Sequence, residues 1–168
     1  MNVVLIGMPG AGKSTIGVLL AKELAFDFID SDLVIQHETG ETLQETMNRD
    51  GYLKLREIEA KVLRNIETSK SVISTGGSAV YGADAMEHLK KSSLVIFIHA
   101  TLTELKSRVK NYEHRGIARR PDQSFQDLFN ERDLLYTKYA DVTIDSVKGE
   151  QDRMVKEIVK EYLNATKG

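Results

Sequence analysis

The first apolar run of the chain, Val3-Val4-Leu5-Ile6, stops at a glycine, and beyond it the apolar positions change period. The same exchange between short apolar runs and helical spacing repeats to the last residues. It predicts strands at residues 2–6, 26–30, 71–75, 94–98 and 142–145. Helical patterns lie between them at 13–24, 33–38, 43–49, 52–67, 84–90, 103–110 and 125–139, and an amphipathic helix at 150–163 follows. Such alternation predicts the α/β class, a parallel sheet covered by helices on both faces. Several strands are near-continuous apolar runs, as expected where both faces are buried. No repeat, low-complexity tract or linker interrupts the pattern, so residues 1–168 are expected to form a single domain. Only the stretch 111–124 lacks apolar periodicity, and it carries Arg115, Arg119, Arg120 and Pro121. A long polar segment inside a domain is either disordered or a functional lid. The arginines favour a mobile lid.

Composition narrows the partners. A formal charge of −2 and a pI near 6.1 leave no basic surplus with which to grip nucleic acid. With no cysteine there is no disulfide, thiolate metal site or thiol nucleophile. The longest clearly apolar run, 94–98, is too short to cross a bilayer, and Met1-Asn2 leads straight into a strand without a secretory leader pattern. A cytoplasmic protein without a membrane partner is therefore expected. His37, His88 and His114 show no metal-ligand spacing, and His99 reads as structural.

The chemistry starts at Gly7-Met8-Pro9-Gly10-Ala11-Gly12-Lys13-Ser14, a G-x-x-x-x-G-K-[ST] loop between a predicted strand and a predicted helix. In that context the glycines turn backbone N–H groups inward around phosphates, and the helix N-terminus adds its positive dipole end. Lys13 would reach the β- and γ-phosphates, and the Ser14 hydroxyl would ligate Mg²⁺. A glycine turn with a surface lysine is the alternative, and it leaves both flanking elements unexplained. Gly10, Ala11, Gly12, Lys13, Ser14 and Thr15 are thus the expected contacts to a nucleoside triphosphate.

In an open α/β sheet, ligands collect beyond the carboxyl ends of the strands. The second strand delivers Asp30-Ser31-Asp32 there. If the chain stays extended, both carboxylates point the same way, one near Mg²⁺ through water and one on an acceptor hydroxyl. A helix cap is the competing use of such an aspartate. The third strand delivers Gly76-Gly77-Ser78, where a ligand can approach the backbone closely. A plain tight turn remains the alternative. On the helix at 52–67, Glu59 lies one turn from Arg56 and could orient its guanidinium, or the two could form an exposed ion pair.

Taken in order, these motifs resemble the shikimate kinase family, small P-loop kinases that phosphorylate a hydroxyl of shikimate in aromatic amino-acid biosynthesis. The resemblance runs from the phosphate loop to Ala140-Asp141-Val142-Thr143-Ile144. It implies the three-layer P-loop NTPase fold, with a five-stranded parallel sheet in the order 2-3-1-4-5 and a mobile lid at about 111–124. It places Asp32 on the substrate hydroxyl, Asp30 near magnesium, and Arg56 and Arg132 on the substrate carboxylate. Gly76 and Gly77 would border the substrate, Arg108 would lie over the adenine, and Arg120 would start the lid motif and act in catalysis beside Lys13 and Asp32. The chain departs from the family pattern at Ser78, at Asp122-Gln123 and at Leu134. A monomer is expected, with ATP and Mg²⁺ as cofactors and a small hydroxy acid as substrate. A kinase for another hydroxylated acid, such as gluconate, would share the phosphate site and differ at Arg56, Ser78 and Arg132. A nucleoside monophosphate kinase fits the acceptor elements less well. A nucleotide-binding regulator without transferase activity is the reading from a different class. Against it, no N-K-x-D motif occurs, and Lys13, Asp32 and Arg120 are all present.

Overall fold

In the computed structural model, which describes residues 1–109 and 116–167, the five predicted strands form one parallel sheet. They are β1 (Asn2–Ile6), β2 (Asp27–Asp30), β3 (Ser71–Ser74), β4 (Ser93–His99) and β5 (Val142–Asp145), in the order β2-β3-β1-β4-β5. The helices are α1 (Lys13–Leu24), α2 (Ser31–Thr39), α3 (Leu43–Asp50), α4 (Tyr52–Arg64), α5 (Ala83–Lys90), α6 (Leu102–Arg108), α7 (Phe125–Tyr139) and α8 (Gln151–Lys167). A 3-10 turn at Ala79–Tyr81, absent from the apolar pattern, precedes α5.

Strand order and crossover handedness together decide which face each helix covers. Parallel connections are right-handed, so α1, leading from β1 toward the β2 edge, covers one face. The connections through α4, α5 and α7 run the opposite way and cover the other. The last helix, α8, returns to pack beside α1. In the centre, Val3, Val4, Leu5 and Ile6 of β1 are wholly buried, with Val4 registered between Ile73 of β3 and Val95 of β4. Each such side chain contributes roughly 1.5–3 kcal/mol by leaving water. Every strand end then opens on the same edge, where the candidate residues gather.

Local chemistry moves several predicted boundaries. The helix α2 begins at Ser31 rather than 33, because the Asp30 carboxylate caps it by accepting from the Asp32 backbone N–H at 3.0 Å. The chain is therefore not extended through Asp32, and the two aspartates reach the cleft from a strand end and a helix turn. Thr42 with Glu45, and Thr101 with Glu104, form reciprocal capping boxes that start α3 and α6. At the end of α4 the Asn65 N–H bonds back to Lys61 and Val62, so the helix stops at Arg64 instead of 67. Within the polar stretch 111–124, residues 111–115, including His114 and Arg115, lie outside the described residues. The remainder packs inward more than its polarity predicts: Ile117, Ala118 and Gln123 are buried. Among the described residues, no helix is long and apolar enough to cross a membrane.

Candidate active site

The loop after β1 is shaped by its backbone. Gly7 has φ +147°, and a Cβ there would lie 2.5 Å from the Ile98 carbonyl oxygen. Gly12, with φ +97°, occupies the cap position of α1, and no side chain caps that helix. The first N–H groups of α1 are thus left for a ligand to satisfy. Lys13 folds back over the loop, its ammonium donating to the carbonyls of Gly7 at 2.7 Å and Met8 at 3.0 Å. Burial brings its pKa down to about 8, opposed by the carboxylate of Asp32. The Ser14 hydroxyl donates to Asp30 Oδ2 at 2.6 Å, and its oxygen lies 3.3 Å from that of Ser74.

A cleft of about 520 Å³ opens from this loop. Gly10, Gly12, Lys13, Ser14 and Thr15 line one side; Asp32, Glu59, Gly76, Gly77, Ser78 and Arg132 line another. Burial raises the Asp32 carboxyl above its usual range, the Asp30 charge adds to the rise, and Lys13 opposes it. Glu59 reaches about 7, through burial first and the Asp32 charge second. A Cβ on Gly76 would collide with Glu59 Oε1 and lie 2.6 Å from Asp32 Oδ1, so both carboxylates press against one glycine. On Gly77 it would lie 2.7 Å from an Arg132 nitrogen. Two guanidinium groups meet beside them. Arg56 and Arg132 each donate from Nη2 to the carbonyl oxygen of Ala118, at 3.0 and 2.8 Å.

The expected pairing of Glu59 with Arg56 is not found. Glu59 instead accepts from the Ser78 hydroxyl, and Arg56 lies over the Tyr81 ring, 3.5 Å from its centroid. Arg120 is half exposed, 3.4 Å from Glu131 and apart from the residues that line the cleft. Arg108 borders both this cleft and a smaller one of about 230 Å³, where it donates to the Ser146 side chain at 2.8 Å. Ser146 in turn donates to the Ala11 carbonyl at 2.8 Å. His99, read as structural, pairs with Asp145 at 3.0 Å.

Several participants escape the sequence reading. Tyr81 carries no motif, and Tyr136, whose buried hydroxyl donates to the Gly77 carbonyl at 2.6 Å, looks like a core aromatic. Ser146 was within reach, since it directly follows β5 and strand ends face the ligand edge.

The model of one kinase family, described as shikimate kinase, matches residues 9–163. This chain belongs to the shikimate kinase family. Its relatives match over nearly their whole lengths. A shikimate kinase of Thermodesulfovibrio yellowstonii is 34% identical across 99% of this chain and 98% of its own length. One from Haemophilus influenzae is 33% identical across 94% and 90%. Among solved structures, the shikimate kinase from Acinetobacter baumannii in complex with shikimate superposes with a TM-score of 0.89 at 30% identity, over 98% of this chain and 93% of that one. Membership makes the chain a kinase that uses ATP. The five-stranded 2-3-1-4-5 sheet expected from the resemblance is the fold observed.

Proposed function

We propose that this kinase transfers the γ-phosphoryl group of MgATP to a hydroxyl of shikimate, giving shikimate 3-phosphate and ADP. The observation that carries the acceptor assignment is the meeting of Arg56 and Arg132 on one oxygen atom beside the cleft that the phosphate loop opens into. Two forked cations converging on a carbonyl can grip the two oxygens of a carboxylate, and shikimate carries one.

Transfer of this kind depends on positioning and charge neutralisation. The uncapped start of α1, with the loop residues Gly10 to Thr15, would hold the β- and γ-phosphates, and Lys13 would stay on the charge that spreads over the transferred group. Arg108 and Ser146 would border the adenine. Ser14 and Asp30 present two oxygens 2.6 Å apart, donors of the kind Mg²⁺ takes along with phosphate oxygens and water. Bound there, the ion would offset phosphate charge. Asp32, on the first turn of α2, would accept a hydrogen bond from the attacking hydroxyl and take its proton late in transfer. Its raised pKa suits that role. Gly76 and Gly77 would let the acceptor ring lie on the backbone.

Arg120 is placed by its segment rather than by the cleft. Its proposed role on the transferred phosphoryl requires residues 116–124 to close over the bound ligands, which would also exclude water. All of these groups come from one chain, and the single chain is the proposed unit of function. With shikimate and MgATP, the wild-type protein should yield a monoester heavier than shikimate by one phosphoryl group, identified by mass and ³¹P NMR. Asp32→Asn should lower kcat about 100-fold or more. An Asp32→Asn variant with the wild-type rate would remove Asp32 from the mechanism.

A further inference from the structure

Arg49, Arg64 and Arg153 each pair directly with a carboxylate. Arg56 is held differently. Glu131 acts on its charge from a distance, and the groups in contact with its guanidinium are aromatic. The guanidinium carbon lies 3.5 Å from the centroid of Tyr81 and 5.0 Å from that of Tyr52, one turn earlier on α4. The Tyr81 ring also borders the second cation, with the Arg132 guanidinium carbon 5.6 Å from its centroid.

A ring face attracts a cation without neutralising it. It covers the flat face of the guanidinium and takes none of the N–H donors, which lie in the plane. Each arginine uses Nη2 on the Ala118 carbonyl, and the Nε of each is buried without a hydrogen-bond partner. In-plane donors thus remain unspent on both cations. Tyr81 is itself anchored. It ends the 3-10 turn after Ser78, and its hydroxyl donates to Glu131 Oε1. Glu131 Oε2 accepts from Gln123 and lies 3.4 Å from Arg120, so both oxygens of that carboxylate are engaged away from Arg56. Burial raises the Tyr81 pKa, and the bond to Glu131 adds to the rise, which keeps the hydroxyl a donor.

We propose that Tyr81 is a positioning residue for acceptor recognition: its ring holds Arg56 beside Arg132 and leaves the Arg56 charge for the carboxylate of the acceptor. The proposal deepens the acceptor reading given above and rests on it. Without the ring, Arg56 samples other rotamers, and acceptor binding must order it again.

Tyr81→Leu should lower kcat/KM for the acceptor about tenfold through KM, with the nucleotide KM little changed. Tyr81→Phe keeps the ring and should restore most of that loss. If Tyr81→Phe loses as much as Tyr81→Leu, the ring is not what holds Arg56 and the proposal fails. Tyr81→Met serves as the second ring-free variant should Tyr81→Leu fold poorly. In an Arg56→Ala background the ring has no guanidinium to place, so adding Tyr81→Leu should lower kcat/KM little further. An equal loss in both backgrounds, or none in either, overturns the proposal. A readout free of turnover is the ¹H shift of the Arg56 δ-methylene, which a ring face so close moves upfield. That displacement should persist in Tyr81→Phe and shrink in Tyr81→Leu, and one shift common to all three proteins contradicts the proposal. A protein inactive on shikimate would sink the proposed function, and the Arg56 signal would still decide whether Tyr81 holds that side chain.

Discussion

Lys13 shows how much chemistry one side chain can carry. In the free protein its ammonium is satisfied by two carbonyls, yet burial holds its pKa near 8. Bound phosphates favour the charged form and raise that pKa. Between the two values, nucleotide binding must take up a proton. Calorimetry in buffers of different ionisation enthalpy should find uptake that grows as pH rises through 8 and disappears below about pH 7. It should be lost in Lys13→Met; uptake that is independent of Lys13 would contradict the assignment. Lys13→Ala should cut kcat about 100-fold or more, the scale of losing one donor to transition-state charge, while the protein stays folded. On the acceptor side, Arg132 is almost completely buried. Arg132→Lys retains the charge and loses the fork, so the acceptor KM should rise about tenfold or more while the nucleotide KM holds. A matching rise in both constants would mean that Arg132 serves the fold instead. That Lys13, Ser14 and Asp32 would border one cleft was legible because their spacing belongs to motifs at strand ends. The place of Glu59 was not: its helical spacing from Arg56 argues for a pair, and the competing donor, Ser78, arrives from another strand end only after folding.

At the scale of elements, α1 joins stability to the phosphate loop. Gly17 lets the helix lie against the sheet, since a Cβ there would fall 2.6 Å from Phe28 and 3.4 Å from Leu5. Gly17→Ala should therefore cost about 1–3 kcal/mol of stability by overpacking. Denaturant unfolding would reveal it, and an unchanged midpoint would mean that the interface yields freely. The segment 116–124 behaves as a second kind of element, held by a few polar contacts. The Gly116 N–H donates to Gln44 at 2.6 Å, Gln123 donates to Glu131 at 3.1 Å, and the Ala118 carbonyl occupies both arginines. An acceptor carboxylate bound by those arginines would displace Ala118, leaving the segment to settle again over the ligands. Hydrogen exchange at 116–124 should slow when nucleotide and shikimate are added together. Equal protection with and without ligands would argue against a lid. The sequence located this segment by its lack of period, while its inward packing was hidden because Ile117, Ala118 and Gln123 show no regular spacing. The α2 boundary was missed for a simpler reason: apolar period begins at Leu33, but the cap that starts the helix is the polar Asp30.

For the whole molecule, the parallel sheet with helices on both faces was legible because strand, loop and helix signals agree along almost the entire length, while the order of its strands came only from the resemblance to the family. The distances between groups were not legible in that way. Arg56 and Arg132 are far apart in sequence, and only the packing of α4 and α7 around one cleft brings both to the same oxygen. In the proposed function, that convergence ties the phosphate loop to a carboxylate-bearing acceptor. The most direct test is ADP release measured with MgATP and shikimate, gluconate, a nucleoside monophosphate or no acceptor, with shikimate methyl ester as the control for the carboxylate. Shikimate should give the highest rate, its methyl ester a poor one, and the acceptor-free reaction almost none. If shikimate releases ADP no faster than the acceptor-free reaction while another hydroxy acid does, the acceptor assignment is wrong and a phosphotransferase of different specificity takes its place.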